Sequence, residues 1–105
     1  MSGTIVISKK NSFDVRNVDF VLIVNALRSK IAHSAIAEKL LETVDDFGMN
    51  MICADDLNSI EFQNFACLIR EVCSTFNGED KELHTFLEAV YTCIEQDERF
   101  FNKGN

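Results

Sequence analysis

Two histidines, His33 and His84, and four cysteines, Cys53, Cys67, Cys73 and Cys93, are the residues of this chain whose types suit nucleophilic or metal chemistry. A thiol becomes a nucleophile beside a base, so a Cys–His pair assembled by folding would point to covalent catalysis. The two histidines are far apart in sequence, and no Cys-x-x-Cys or paired histidine supplies a zinc-ligand spacing. The phosphate-binding, dinucleotide-binding, nucleophile-elbow and zinc-protease motifs are absent too. His33 therefore reads as a polar residue in a helix–helix connection and His84 as a half-exposed residue at a helix start. The cysteines read as reduced core thiols, because free Cys is among the most buried residue types. Tyr91, the sole tyrosine, reads as a packing residue with its hydroxyl at the surface, although tyrosine is also enriched in binding hot spots.

Carboxylates are the other chemical group. Asp45-Asp46 and Asp55-Asp56 are adjacent pairs, and consecutive side chains on a helix or strand diverge instead of converging on one ion. The twelve-residue calcium-loop pattern is missing. The residues thus predict no catalytic site, no cofactor and no metal.

What remains is charge. The net charge is −7 and unevenly spread: residues 1–42 carry six Lys/Arg against four Asp/Glu, and residues 43–105 carry four against thirteen. Such a surface repels nucleic acid and anionic membranes and attracts a basic partner. Acidity that only maintains solubility is the plain competing reading. The candidate partner-binding acids are Asp45, Asp46, Asp55 and Asp56, which flank one predicted strand, with Glu79, Asp80 and Glu82 at one end of the last predicted helix and Glu95, Asp97 and Glu98 at the other.

The elements that must position these groups follow from periodicity. Thr4–Ile7 is β-branched and predicts a strand, a polar turn follows, and Phe13 and Val15 suggest a second strand. Lys9 and Lys10 read as protection of an edge strand. Phe20–Val24 is an apolar run that suits a buried strand or a helix. The stripe Phe20, Ile23, Val24, Leu27 and Ile31 favours a heavily buried helix, capped by Asn17 with Asp19 at its positive end. Ser34 caps a second helix with Ile36, Leu40, Leu41, Val44 and Phe47 as its apolar face, ended by Gly48. Asp45-Asp46 falls where the helix dipole disfavours acids, so local stability does not account for the pair. Residues 49–54 suggest a short strand beside Thr4–Ile7, with Met49 and Met51 filling core or serving as adaptable contacts.

The clearest local signal is Asn58 with Glu61 three residues on, a capping box. Phe62, Phe65, Ala66, Ile69, Val72, Cys73 and Phe76 follow on one face, and Gly78 stands where a C-terminal cap belongs. A last helix starts around Glu79–Glu82, buries Leu83, Phe86, Leu87, Val90 and Ile94, and leaves Phe100-Phe101 to fold back while residues 102–105 fray. The expected fold is α+β and mainly α: about four helices in one domain, 1–105, with a short N-terminal strand and a second strand near 49–54. At 105 residues, 47% hydrophobic with nine Phe, the chain suffices for one core. No apolar run approaches the roughly 20 residues of a membrane span. The N-terminus lacks a secretory-signal pattern, which predicts a cytoplasmic, reduced setting for the thiols.

An apolar strand followed by Asp55-Asp56-Leu57 and a helix opening Asn58-Ser59-Ile60-Glu61-Phe62, with Phe65 beyond, resembles a pattern in small bacterial immunity proteins. These protect cells from toxin domains of contact-dependent growth inhibition and related polymorphic toxin systems. The resemblance spans Ile52 to Phe65 and implies a role and no set of binding residues. That role is capture of a cognate toxin, often a basic nuclease, with its active site blocked or its substrate excluded. Two other classes fit the same composition. One is a nucleic-acid-mimicking inhibitor from a mobile element. The other is a structural or adaptor helical module, for which an exposed apolar patch would be the mark.

Overall fold

A computed structural model describes residues 3–48 and 50–100. The elements run β1 (Gly3–Ser8), β2 (Asn11–Val15), α1 (Asn17–Arg28), a 3-10 turn (Ile31–His33), α2 (Ala35–Asp45), β3 (Met51–Cys53), α3 (Ser59–Thr75) and α4 (Lys81–Glu95). This is the expected α+β, mainly helical class. The elements fall into two compact units, Met1–Asp56 and Leu57–Asn105.

The first unit is built on a sheet ordered β2-β1-β3. β1 and β2 form an antiparallel hairpin with Ile5 opposite Phe13, whereas β3 lies parallel to β1 with Ile5 opposite Ile52. Parallel pairing requires a crossover, and α1 and α2 supply it. Burial follows chemistry: Ile5, Ile7 and Ile52 are fully enclosed, while the outer strand β2 is mostly polar and exposed. Gly3 is demanded by a close approach, because a Cβ there would collide with the ring of Phe20.

Several expectations for this unit need correction. β1 is paired on both sides, and Lys9 and Lys10 are exposed in the turn that leads into β2, an outer strand of the sheet. Phe20–Val24 is helical, but the N-cap position belongs to Arg16, with Asn17 already inside α1 and no side-chain cap. Arg16 instead ion-pairs with Asp19 at 2.9 Å. Nor is α1 heavily buried. Phe20, Ile23, Val24 and Leu27 face inward, while Val18 is 67% and Val21 47% exposed. The helix stops at Arg28, so Ile31 opens the 3-10 turn instead of extending the stripe. In α2 the Ser34 hydroxyl accepts from Ala37 N–H at 3.2 Å as expected. Phe47, however, lies beyond the helix end and is 71% exposed. Gly48 takes the left-handed conformation at φ 66°. Met49 lies outside the described residues.

The second unit is the α3–α4 hairpin. Asn58 accepts from Glu61 N–H at 2.9 Å and the Glu61 carboxylate accepts from Asn58 N–H at 3.1 Å, completing the capping box. All seven residues of the expected stripe are buried, with Phe62 and Phe65 rings 5.8 Å apart. Gly78 at φ 90° permits the tight return into α4. There Asp80, and not a longer acidic turn, is the cap, accepting from Leu83 N–H at 3.1 Å. Leu83, Leu87, Val90 and Ile94 are buried, while Phe86 is half-buried. Phe100 does fold back, its ring edge-on to Tyr91 at 6.2 Å. Phe101 and residues 102–105 lie outside the described residues.

Candidate partner-binding surface

Among the ten acids proposed from sequence, Asp45, Asp80 and Asp97 make the contacts described next. Asp45, at the last turn of α2, receives both terminal nitrogens of the Arg28 guanidinium at 2.8 and 3.1 Å. The hydrogen bonds and charge of Arg28 hold its carboxyl below the usual aspartate range. Arg28 thus pairs with Asp45 where the helix dipole disfavours an acid, and both side chains remain largely in solvent. Asp80 is occupied as the α4 cap. Asp97 is enclosed, its side chain 9% exposed, and meets Arg99 at 2.9 Å through both carboxylate oxygens. Hydrogen bonds from Arg99 keep Asp97 well ionised, outweighing the burial that would favour its neutral form. Arg99 is itself tied down, donating to Leu57 O at 3.0 Å and lying 4.0 Å over the Phe62 ring.

Asp46, Asp56, Glu79, Glu82, Glu95 and Glu98 are exposed, and Asp55 is half-buried. The Asp45–Asp46 and Asp55–Asp56 pairs precede and follow β3, an outer strand of the sheet. Glu79, Asp80 and Glu82 mark the start of α4, and Glu95, Asp97 and Glu98 mark its end. The helix is fifteen residues long, roughly 22 Å at 1.5 Å per residue, so the two groups sit at its opposite ends.

Folding also brings together a Cys–His pair that sequence spacing hides. His84 Nδ1 lies 3.4 Å from Cys73 Sγ, and Nε2 lies 3.4 Å from Glu88. Nδ1 is closer still, 3.0 Å, to the Cys73 carbonyl oxygen, which can only accept. That nitrogen is thereby a donor and cannot take the thiol proton. The thiol in turn donates to the His84 carbonyl at 3.7 Å, and burial, with Glu88 nearby, pushes its pKa up. A nucleophile needs the opposite shift. The cluster is a reciprocal staple between the end of α3 and the start of α4.

All four cysteines are free thiols, and their burial varies: Cys73 is buried, Cys53 and Cys93 are half-buried, and Cys67 is exposed on α3. The expectation of four core thiols thus fails for Cys67, which points off the apolar stripe. Among the described residues no group of three or more His, Cys, Asp or Glu is placed to hold a metal ion, and no helix is long and apolar enough to cross a membrane. The hairpin carries a groove of about 440 Å³, with Arg70, Cys73, Ser74 and Asn77 on one side and His84, Glu88, Tyr91, Thr92 and Glu95 on the other.

No family model matches the sequence, and no curated protein matches it. Among solved structures, the chain is similar to one in the complex of the CdiA-CT toxin from Burkholderia pseudomallei E479 with its cognate CdiI immunity protein. With a TM-score of 0.82 at 22% identity, over 93% of this chain and 98% of that one, the likeness shows a shared fold.

Proposed function

We propose that this chain is an immunity protein that binds and neutralises a cognate toxin domain, and that it is not itself an enzyme. The observation that carries this reading is the likeness along nearly the full length of both chains to a structure of a toxin–immunity complex. Charge supports the immunity side of such a pair. A toxin that degrades nucleic acid must approach a polyanion, which a chain of net charge −7 disfavours. The same charge suits capture of a basic nuclease. The reciprocal Cys73–His84 staple supports a non-enzymatic role, since it sets neither a base nor a thiolate.

The exposed acids Asp46, Asp56, Glu79, Glu82, Glu95 and Glu98, with Asp55, are the residues we assign to the toxin-facing surface. Asp45, Asp80 and Asp97 serve it through structure. The toxin's active site is thereby blocked or its substrate excluded, in the cytoplasm where the toxin would act.

Co-expression with a candidate toxin domain, sought first in the neighbouring gene, tests the role directly: cells arrested by the toxin should grow once this chain is also made. Unrelieved growth arrest, or no complex on mixing the purified proteins, would refute it. Within a complex, reversing Asp55 and Asp56 to lysine should slow association about tenfold at low ionic strength, the deficit shrinking as salt screens the charges. Unchanged association rates would remove that pair from the surface.

A further inference from the structure

The groove on the α3–α4 hairpin is more specific than a diffuse acidic surface. On α4, Glu88, Tyr91 and Glu95 stand at helical spacings of three and four and all line it, so they share one face. The two carboxylates are about 10 Å apart along the axis, at 1.5 Å per residue, with the tyrosine between them. The Tyr91 ring packs T-shaped against Phe100, and the Glu88 side chain is 62% exposed. Ser74, Asn77 and Thr92 add hydrogen-bonding groups along the lining, and Arg70 is its one arginine.

Anions on both sides of an aromatic face form a receptor for a cation. The ring face attracts a guanidinium or ammonium, and the flanking carboxylates take its N–H groups. A volume of about 440 Å³ admits such a side chain together with part of its backbone. We propose that this groove receives an arginine or lysine side chain of the cognate toxin, with Tyr91 as its floor and Glu88 and Glu95 as its anions. The site rests on the toxin-binding reading given above and adds to it Glu88 and Tyr91, neither of which belongs to the acidic clusters visible in the sequence. Arg70 opposes the incoming cation, so its removal should not weaken binding.

Titration calorimetry with the purified cognate toxin domain tests the site. Tyr91→Ala, and separately the double variant Glu88→Gln/Glu95→Gln, should each weaken binding about tenfold or more. The control Glu38→Gln/Glu42→Gln removes the same charge from α2 and should change affinity by less than about threefold. Arg70→Gln should leave affinity unchanged or tighten it. Circular dichroism of each variant separates lost contact from lost fold, and Tyr91→Phe, which keeps the ring, should bind nearly as the parent does. The proposal is overturned if the Glu88/Glu95 variant binds no worse than the α2 control. It is overturned equally if Arg70→Gln weakens binding, which would mark the groove as an anion site. Failure of the unmodified chain to bind the toxin would instead overturn the toxin-binding reading, and this site with it.

Discussion

Arg28–Asp45 and Arg99–Asp97 are both two-pronged arginine–aspartate pairs of similar length, in very different settings. Arg28 meets Asp45 at 2.8 and 3.1 Å with both side chains over 40% exposed. Arg99 meets Asp97 at 2.9 Å through two nitrogens, with the side chains 17% and 9% exposed. In the first, water competes for every donor and salt screens the charges. In the second, the arginine also donates to the Leu57 carbonyl and covers the Phe62 ring, so its loss strands a part-buried carboxylate and a backbone acceptor together. Distance alone ranks the two pairs as equals. Their surroundings rank them far apart.

The larger of the two ion-pair effects follows from that difference. Arg99→Ala should destabilise the protein by about 2–3 kcal/mol, short of the full cost of breaking a buried ion pair because both residues are only partly enclosed. A urea melt measures it, and a loss below about 1 kcal/mol would mean that water already reaches Asp97. Phe65→Ala, which empties a fully enclosed ring site, serves as the apolar benchmark, with an expected cost of about 3–5 kcal/mol. Comparable losses for the two variants would place the polar staple on a par with the core.

Acid titration sharpens the contrast next. Both aspartates are held below their ordinary pKa by their arginines. For a depressed carboxyl, the stabilisation is fully present above the unfolded value, about 4, and is lost as pH falls through the lower folded value. Asp97→Asn should therefore flatten the decline of stability below pH 4, and the flattening should persist in high salt. Asp45→Asn should change the same limb little, and less still as salt is added. Equal flattening by both variants would show that enclosure does not set the strength of these pairs.

How much of this was legible beforehand depended on how local the cause was. Asn58, Glu61 and the stripe to Phe76 lie within one helix and read directly as capping box and buried face. The hairpin β1–β2 and the short β3 were also readable, from β-branched runs and the polar turn between them. The N-cap of α1 falls one residue before Asn17, which has the right chemistry, because Arg16 has the extended backbone. Phe47 keeps the apolar period of α2 but lies past the true end of that helix. The candidate site was less accessible. Arg28 and Asp45 are 17 residues apart, and Arg99 and Leu57 are 42 apart, and such contacts leave no periodic trace. Gln63, whose amide donates to the carbonyls of Arg99 and Phe100 at 2.6 and 2.8 Å, belongs with them. Cys73 and His84 could be paired only once α3 and α4 were known to pack as a hairpin.

The smallest expected effect is at Arg28. Its guanidinium satisfies an exposed aspartate at a helix C-terminus, where the carboxylate opposes the dipole, so the pair corrects a local electrostatic fault without enclosing anything. Arg28→Ala should leave the thermal midpoint unresolved from that of the parent at physiological salt, with a small drop emerging only at low ionic strength. The double variant Arg28→Ala/Asp45→Ala should recover that drop, since removing both partners also removes the misplaced charge. If Arg28→Ala proved as costly as Arg99→Ala, the α1–α2 connection would depend on this fork for its geometry. Exposure would then be a poor guide to which acids in this chain are available to a partner.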